Sequence, residues 1–133
     1  MPDANGQATE DEIHAATARL LALNFPQFPA ETVREHGVYW TTHEIRNAKN
    51  SVEGANRKRR GVRAGNPDLL FIRDGRTYSI ELKTATGALS HPQIEERERI
   101  VAAGGSWALC RSDIDVLRTL SQWGFPLRAR VFA

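Results

Sequence analysis

Asp68, Glu81 and Lys83 are the side chains whose types and spacing in this sequence could do chemistry together. Asp68 closes Gly-Asn-Pro-Asp at 65–68, and Glu81 and Lys83 belong to Ile-Glu-Leu-Lys at 80–83. Between them, two runs rich in β-formers, Leu69 to Ile72 and Thr77 to Leu82, flank Asp74-Gly75, a strong signal for a β-hairpin. Residues equidistant from that bend face each other. Asp68 therefore stands opposite Glu81 on one sheet face, with Cβ atoms roughly 4.5–5.5 Å apart. Alternation puts Lys83 on the same face and turns Ile80 and Leu82 to the other. Two like charges so placed are unfavourable unless something positive lies between them. A divalent cation is the obvious candidate.

Mg²⁺ or Mn²⁺ takes oxygen ligands, keeps several waters, and is commonly held by one or two carboxylates together with substrate phosphate. Asp68 and Glu81 suit that role, with the backbone carbonyl of Leu82 as a third ligand. Such a cation supplies a nucleophilic water near neutral pH and stabilises charge on phosphate oxygens. Lys83 can orient that water or offset charge in the transition state as a point-charge donor. The reaction these parts fit is phosphodiester hydrolysis. The competing reading is a solvated Glu-x-Lys pair on an exposed strand. Two features weigh against it: Pro67 fixes φ just ahead of Asp68, and the trio interrupts strands that otherwise read as buried.

These residues need a scaffold, and 133 residues are enough for one domain with a single modest core. With 41% hydrophobic and 26% charged residues, wholesale disorder is not expected. The net charge of +2 conceals an uneven distribution. Arg46, Lys49, Arg57, Lys58, Arg59, Arg60 and Arg63 stand against Glu53 alone, a block that can engage phosphate or simply be a solvated face. Cys110 is the single cysteine, which excludes an intrachain disulfide and a thiolate metal cluster. No apolar run approaches the ~20 residues of a membrane span. Without a secretory pattern near the start, a cytoplasmic location is expected.

Residues 1–8 are small and polar and are expected to fray. Thr9 caps a first helix that carries Glu10, Asp11 and Glu12 in its first turn, with Ile13, Ala16, Thr17, Leu20 and Leu21 on one stripe. Phe25-Pro26 and Phe28-Pro29 end it. A helical turn closed by Gly37 precedes a strand from Val38 to Ile45. Residues 47–65 read as a mobile basic loop with at most a short helix after Ser51. After the hairpin, Ser90-His91-Pro92-Gln93 has the form of a capping box opening a helix to about Ala103, with Glu95 to Arg99 facing water. Trp107 to Arg111 reads as a strand. Ser112 caps a last helix striped by Ile114, Leu117 and Leu120, and Leu127 to Phe132 reads as an edge strand. The order implies an α/β fold, a mixed sheet around the central hairpin with helices on both faces.

Several pieces together resemble the VRR-NUC family of the PD-(D/E)XK nuclease superfamily. They are His-Glu-Ile-Arg-Asn (43–47), Gly-Val-Arg-Ala-Gly-Asn-Pro-Asp-Leu-Leu (61–70), Ile-Glu-Leu-Lys-Thr (80–84), Gly-Ala-Leu-Ser-His-Pro-Gln (87–93) and Arg-Ser (111–112). The resemblance spans roughly Glu10 to Leu120. It implies a restriction-endonuclease-like fold in a single stand-alone nuclease domain, with Asp68, Glu81 and Lys83 in the catalytic positions. It also implies Gln93 as a supporting active-site residue and an acid on the first helix. The family tends to place a glutamine one turn after that acid. Here Glu10 and His14 fill the two positions, and Glu12 competes as the acid; the four-residue spacing to His14 favours Glu10. Gln93 has a second reading as the closing residue of its capping box, and the two roles are compatible.

The expectation is a Mg²⁺- or Mn²⁺-dependent DNA endonuclease. The resemblance points to cutting of branched DNA such as Holliday junctions or flaps, as a homodimer. Arg57, Lys58, Arg59, Arg60 and Arg63, with His43 and Asn47, are the candidate DNA contacts. One alternative is a nucleic-acid-binding module that keeps the fold without the chemistry. The other is a sequence-specific restriction-type nuclease, for which the chain leaves little room.

Overall fold

The computed structural model describes residues 2–4, 6–43 and 50–128. Within them the elements run α1 (Glu10–Asn24), α2 (Ala30–His36), β1 (Val38–Thr42), α3 (Ser51–Arg59), β2 (Leu69–Arg73), β3 (Arg76–Leu82), α4 (His91–Ala102), β4 (Ser106–Cys110) and α5 (Asp113–Gln122). No helix here is long and apolar enough to cross a membrane.

The hairpin forms where the sequence places it. Asp74 and Gly75 both take positive φ, 52° and 74°, as a two-residue turn matched to the twist of its strands requires. Leu69 then pairs with Ile80, and Phe71 with Tyr78. The sheet order is β1-β2-β3-β4; β1–β2 and β2–β3 are antiparallel and β3–β4 is parallel. A parallel neighbour needs a crossover connection, and α4 supplies it.

Alternation sorts the side chains into two faces. One face carries Val38, Leu69, Phe71, Tyr78, Ile80, Leu82 and Cys110, packed with Ile13 and Leu21 of α1 and Val116 and Leu120 of α5. Phe125 closes this core edge-on to Phe71 at 5.7 Å and Tyr78 at 4.9 Å between ring centroids. Burying one such Leu or Phe contributes about 1.5–3 kcal/mol, so this face holds the domain together. The opposite face lies under α4, which packs on β4. Its cover is partial. β3 is buried on both faces from Tyr78 onward, whereas β2 alternates and leaves Ile72 exposed. The apolar run at 69–72 is thus not a doubly covered strand.

The Ser90–Gln93 capping box forms on α4, and the Thr9 cap of α1 is a capping box as well, with Glu12. Gly37, at φ 77°, ends α2 in the left-handed conformation that favours glycine. The outer edge of β1 is blunted by side chains. Gln27 donates to the Val38 carbonyl and accepts from the Trp40 amide, and His36 Nδ1 accepts from the Val38 amide. Those groups would otherwise invite strand addition.

The short helix allowed after Ser51 is α3, over 51–59, with Asn50 capping the Glu53 amide at 2.9 Å. Two expectations change, at Glu96 and at Leu127–Arg128. Glu96, placed among the water-facing residues of α4, is only 4% exposed. Ahead of α1, Asp3 and Gln7 hydrogen-bond each other, so that stretch turns back on itself. Leu127 and Arg128 are not in a strand. The remainder of that proposed strand (129–132), the end of the one proposed at 38–45, and Asn47 lie outside the described residues.

Candidate active site

Asp68 immediately precedes β2, and its carbonyl accepts the His43 amide at 2.8 Å, extending the β1–β2 ladder by one step. Its side chain turns toward β3, where Oδ2 accepts the Leu82 amide at 2.7 Å. In an extended strand the N–H and C=O of one residue leave on the same side. The Leu82 carbonyl therefore shares the edge that meets Asp68, where a third oxygen ligand would be needed. Oδ1 of Asp68 lies 3.3 Å from Nε2 of His14, on the second turn of α1.

Glu81 is buried at 3% exposure. Its Oε1 accepts from Gln93 Nε2 at 2.9 Å, while no donor among the described residues reaches the buried Oε2. A buried carboxylate oxygen left so is costly unless a proton or a cation meets it. Burial first, and then the adjacent Asp68, push the Glu81 carboxyl up to about 9, against the opposing pull of Lys83. A proton retained there can be donated to Asp68. Burial would raise Asp68 as well, but hydrogen bonds from His14, Glu81 and the Leu82 amide outweigh it and hold Asp68 below its usual value. The bond to Asp68 in turn raises His14, over the opposing effect of burial. The two acids thus hold one negative charge between them in the absence of a cation, the behaviour of carboxylates sharing a site.

Gln93 makes two contacts with one amide. Its Oε1 accepts from the Ser90 amide at 2.8 Å and closes the helix cap, which leaves Nε2 free to reach Glu81. On α1, Glu12 is engaged in its cap with Thr9. Glu10 is exposed one turn before His14, and its charge acts on both His14 and Glu81. Of the two candidate acids, Glu10 is the one whose charge is felt at the site. Lys83 is half-buried, its amide held by the Cys110 carbonyl at 3.0 Å.

The basic residues divide. Lys58 and Arg60 are exposed at the end of α3. Arg57 pairs with Glu53 at 2.6 Å, and Arg59 bonds Asn56. Arg63 is tied to Glu96 at 2.9 Å, which makes it a structural strut. Three residues escaped the sequence reading. Glu96 anchors Arg63; Arg111 grips the turn after Lys83; and Gly65 lets its loop touch Pro92, where a Cβ would come within 2.4 Å of the carbonyl oxygen. The positive φ of Gly65 (90°) is a signal a Gly-Asn-Pro sequence offers only weakly.

Among the described residues, no three His, Cys, Asp or Glu side chains are grouped as a ready metal-ligand set. Two carboxylates and a carbonyl remain, a hard-oxygen donor set suited to a cation that retains water. A groove of about 740 Å³ lined by Phe28, Val33, Tyr39 and Trp40 contains none of these residues.

No family model and no curated protein matches the chain. Solved structures do. One named "VRR_NUC domain protein" is 23% identical, with a TM-score of 0.60 over 86% of this chain and 87% of its own. Another, named "VRR_NUC domain", is 18% identical, with a TM-score of 0.53 over 87% of this chain and 99% of its own. At these identities the likeness is one of fold. The chain therefore has the fold of VRR_NUC domain structures, a mixed four-stranded α/β sheet with helices on both faces, as its sequence motifs imply.

Proposed function

We propose that this chain is a divalent-metal-dependent DNA endonuclease, selective for branched DNA such as four-way junctions or flaps. The observation that carries the proposal is the meeting of Asp68 with a buried Glu81 whose Oε2 is reached by no donor among the described residues. The names of the structures sharing the fold agree with a nuclease-type domain.

Asp68, Glu81 and the Leu82 carbonyl would hold Mg²⁺ or Mn²⁺, which when bound activates water and stabilises charge on the phosphate. The chain's own groups do the rest. Gln93 fixes the Glu81 carboxylate, so the site is set before substrate arrives. His14 fixes Asp68 from α1, and the charge of Glu10 acts on His14 from one turn before it. Lys83 offsets charge on the phosphate oxygens as they become more negative. Lys58 and Arg60, with their neighbours on α3, supply sequence-independent attraction for the DNA backbone, which weakens steeply with salt. A twofold dimer would bring two such sites to the paired strands of a junction.

The test is cleavage of duplex, single-stranded, flap and four-way-junction DNA with and without Mn²⁺. Cutting of a branched form only with metal, abolished in Asp68→Asn while DNA binding persists, is expected. Wild-type protein that binds DNA and cuts no form supports the binding module in its place.

A further inference from the structure

We infer that Arg111 is a positioning residue for Lys83, acting through the turn at 84–87; this deepens the nuclease reading and rests on it. Lys83 carries a flexible four-carbon stem, so an ammonium that must meet one phosphate oxygen needs something to restrict it. The chain after it provides this. The Gly87 amide bonds the Thr84 carbonyl at 3.2 Å and closes a turn that folds back on the lysine. A Cβ at position 87 would sit 3.5 Å from both Cβ and Cδ of Lys83, so the backbone there lies along the aliphatic stem.

That turn lies outside the sheet ladder, and its carbonyls need donors of their own. Arg111 supplies them. Its Nη1 donates to the carbonyls of Thr84 at 2.7 Å, Gly87 at 2.7 Å and Ala85 at 3.3 Å. Arg111 is itself fixed from behind. It follows Cys110, whose carbonyl holds the Lys83 amide, and its own amide donates to Asp115 Oδ2 at 3.1 Å on α5. Asp115 is held in turn by its amide's bond to Ser112 Oγ at 3.0 Å. The rigid end of β4 and the start of α5 are thereby connected to the Lys83 stem. A guanidinium Nη1 committed to three carbonyls is a structural donor, unlike the phosphate-reading cations of α3.

The experiment compares wild type, Arg111→Ala and Arg111→Lys as full-length protein, by Mn²⁺-dependent cleavage and by NMR of reductively ¹³C-methylated lysines. Lys49, Lys58 and Lys83 are the lysines of the chain, and Lys83→Arg assigns the third signal. Displacing a charge-stabilising group by an ångström costs about a hundredfold. Both variants are expected to lower kcat by about that factor while KM for DNA stays within about threefold. The Lys83 methyl signal should narrow to that of a freely rotating lysine. Millimolar methylguanidinium should restore part of the Arg111→Ala activity that equal KCl does not. A raised KM at unchanged kcat, or a Lys83 signal identical to wild type in a folded variant, overturns the inference. Arg111→Lys keeps the charge and serves if the alanine variant does not fold. If wild type cuts no DNA, the nuclease reading fails, and the Lys83 signal still decides whether Arg111 restrains the lysine.

Discussion

Gln93 joins a helix cap to Glu81: one end of its amide accepts from Ser90 at 2.8 Å, and the other donates to Glu81 Oε1 at 2.9 Å. The start of α4 and the buried acid are thereby one hydrogen-bonded unit. Gln93→Ala removes both contacts. The lost cap costs about 1 kcal/mol in denaturant unfolding. The loss of the donor to Glu81 is expected to lower cleavage by about tenfold. Gln93→Glu offers a test of sign, since it can keep the cap but sets a third carboxylate against Glu81. It should fold, and it should cut less well than Gln93→Ala at low metal concentration.

Gly65 marks where the loop ahead of Asp68 touches α4. A Cβ there would lie 2.4 Å from the Pro92 oxygen and 2.8 Å from the Gln93 nitrogen, at φ 90°. Gly65→Ala is expected to destabilise the fold by about 2 kcal/mol or more, measured by urea unfolding. By displacing Gln93 it should also weaken cleavage in the fraction that remains folded.

Glu96 and Arg63 separate a buried charge from its half-exposed partner. Glu96 is 4% exposed and is reached by Arg63 at 2.9 Å and Arg99 at 3.7 Å. Removing Arg63 leaves the buried carboxylate with the longer contact to Arg99 at 3.7 Å, whereas Glu96→Met removes the charge and releases both arginines to water. Arg63→Ala should therefore lower the melting temperature more than Glu96→Met does. The reverse order would show that the pair is merely a surface contact.

What could be read in the sequence was local. The Asp-Gly bend, the Thr9 cap, the Ser90–Gln93 capping box and the alternation of β3 depend on residues within a few positions of one another. They place Asp68 against Glu81 before any fold is known. Glu96 could not be read because its partner is 33 residues away, so it resembled its solvated neighbours Glu95 and Glu98. Arg111 was hidden for the same reason: its acceptors are carbonyls of a turn 24 to 27 residues earlier. Helix α3 carried a readable signal, Asn50 followed three residues later by Glu53. With Gly54 and the dense cations beside it, that signal supported at most a short helix after Ser51, which is what forms.

The pH dependence of the metal-free chain follows from three shifts. Glu81 is raised from 4.5 to about 9, so its contribution to stability is complete below its ordinary value and is lost as pH rises toward 9. His14 is raised above 6.5, and its contribution is likewise lost on the alkaline side. Asp68 is depressed, and its contribution disappears only as pH falls below 3.8. The apo chain should therefore melt at progressively lower temperature between about pH 5 and about pH 9. Glu81→Gln should flatten much of that slope. Bound Mn²⁺ should oppose it, because a cation favours the ionised pair.

Calorimetric titration of Mn²⁺ into the wild-type chain and into Asp68→Asn near neutral pH tests the cation site most directly. The account predicts binding to wild type with release of a proton from Glu81, seen as a heat that varies with buffer ionisation enthalpy, and loss of that binding in Asp68→Asn. Wild-type protein that takes up no Mn²⁺, or an Asp68→Asn variant that binds as wild type does, would contradict it.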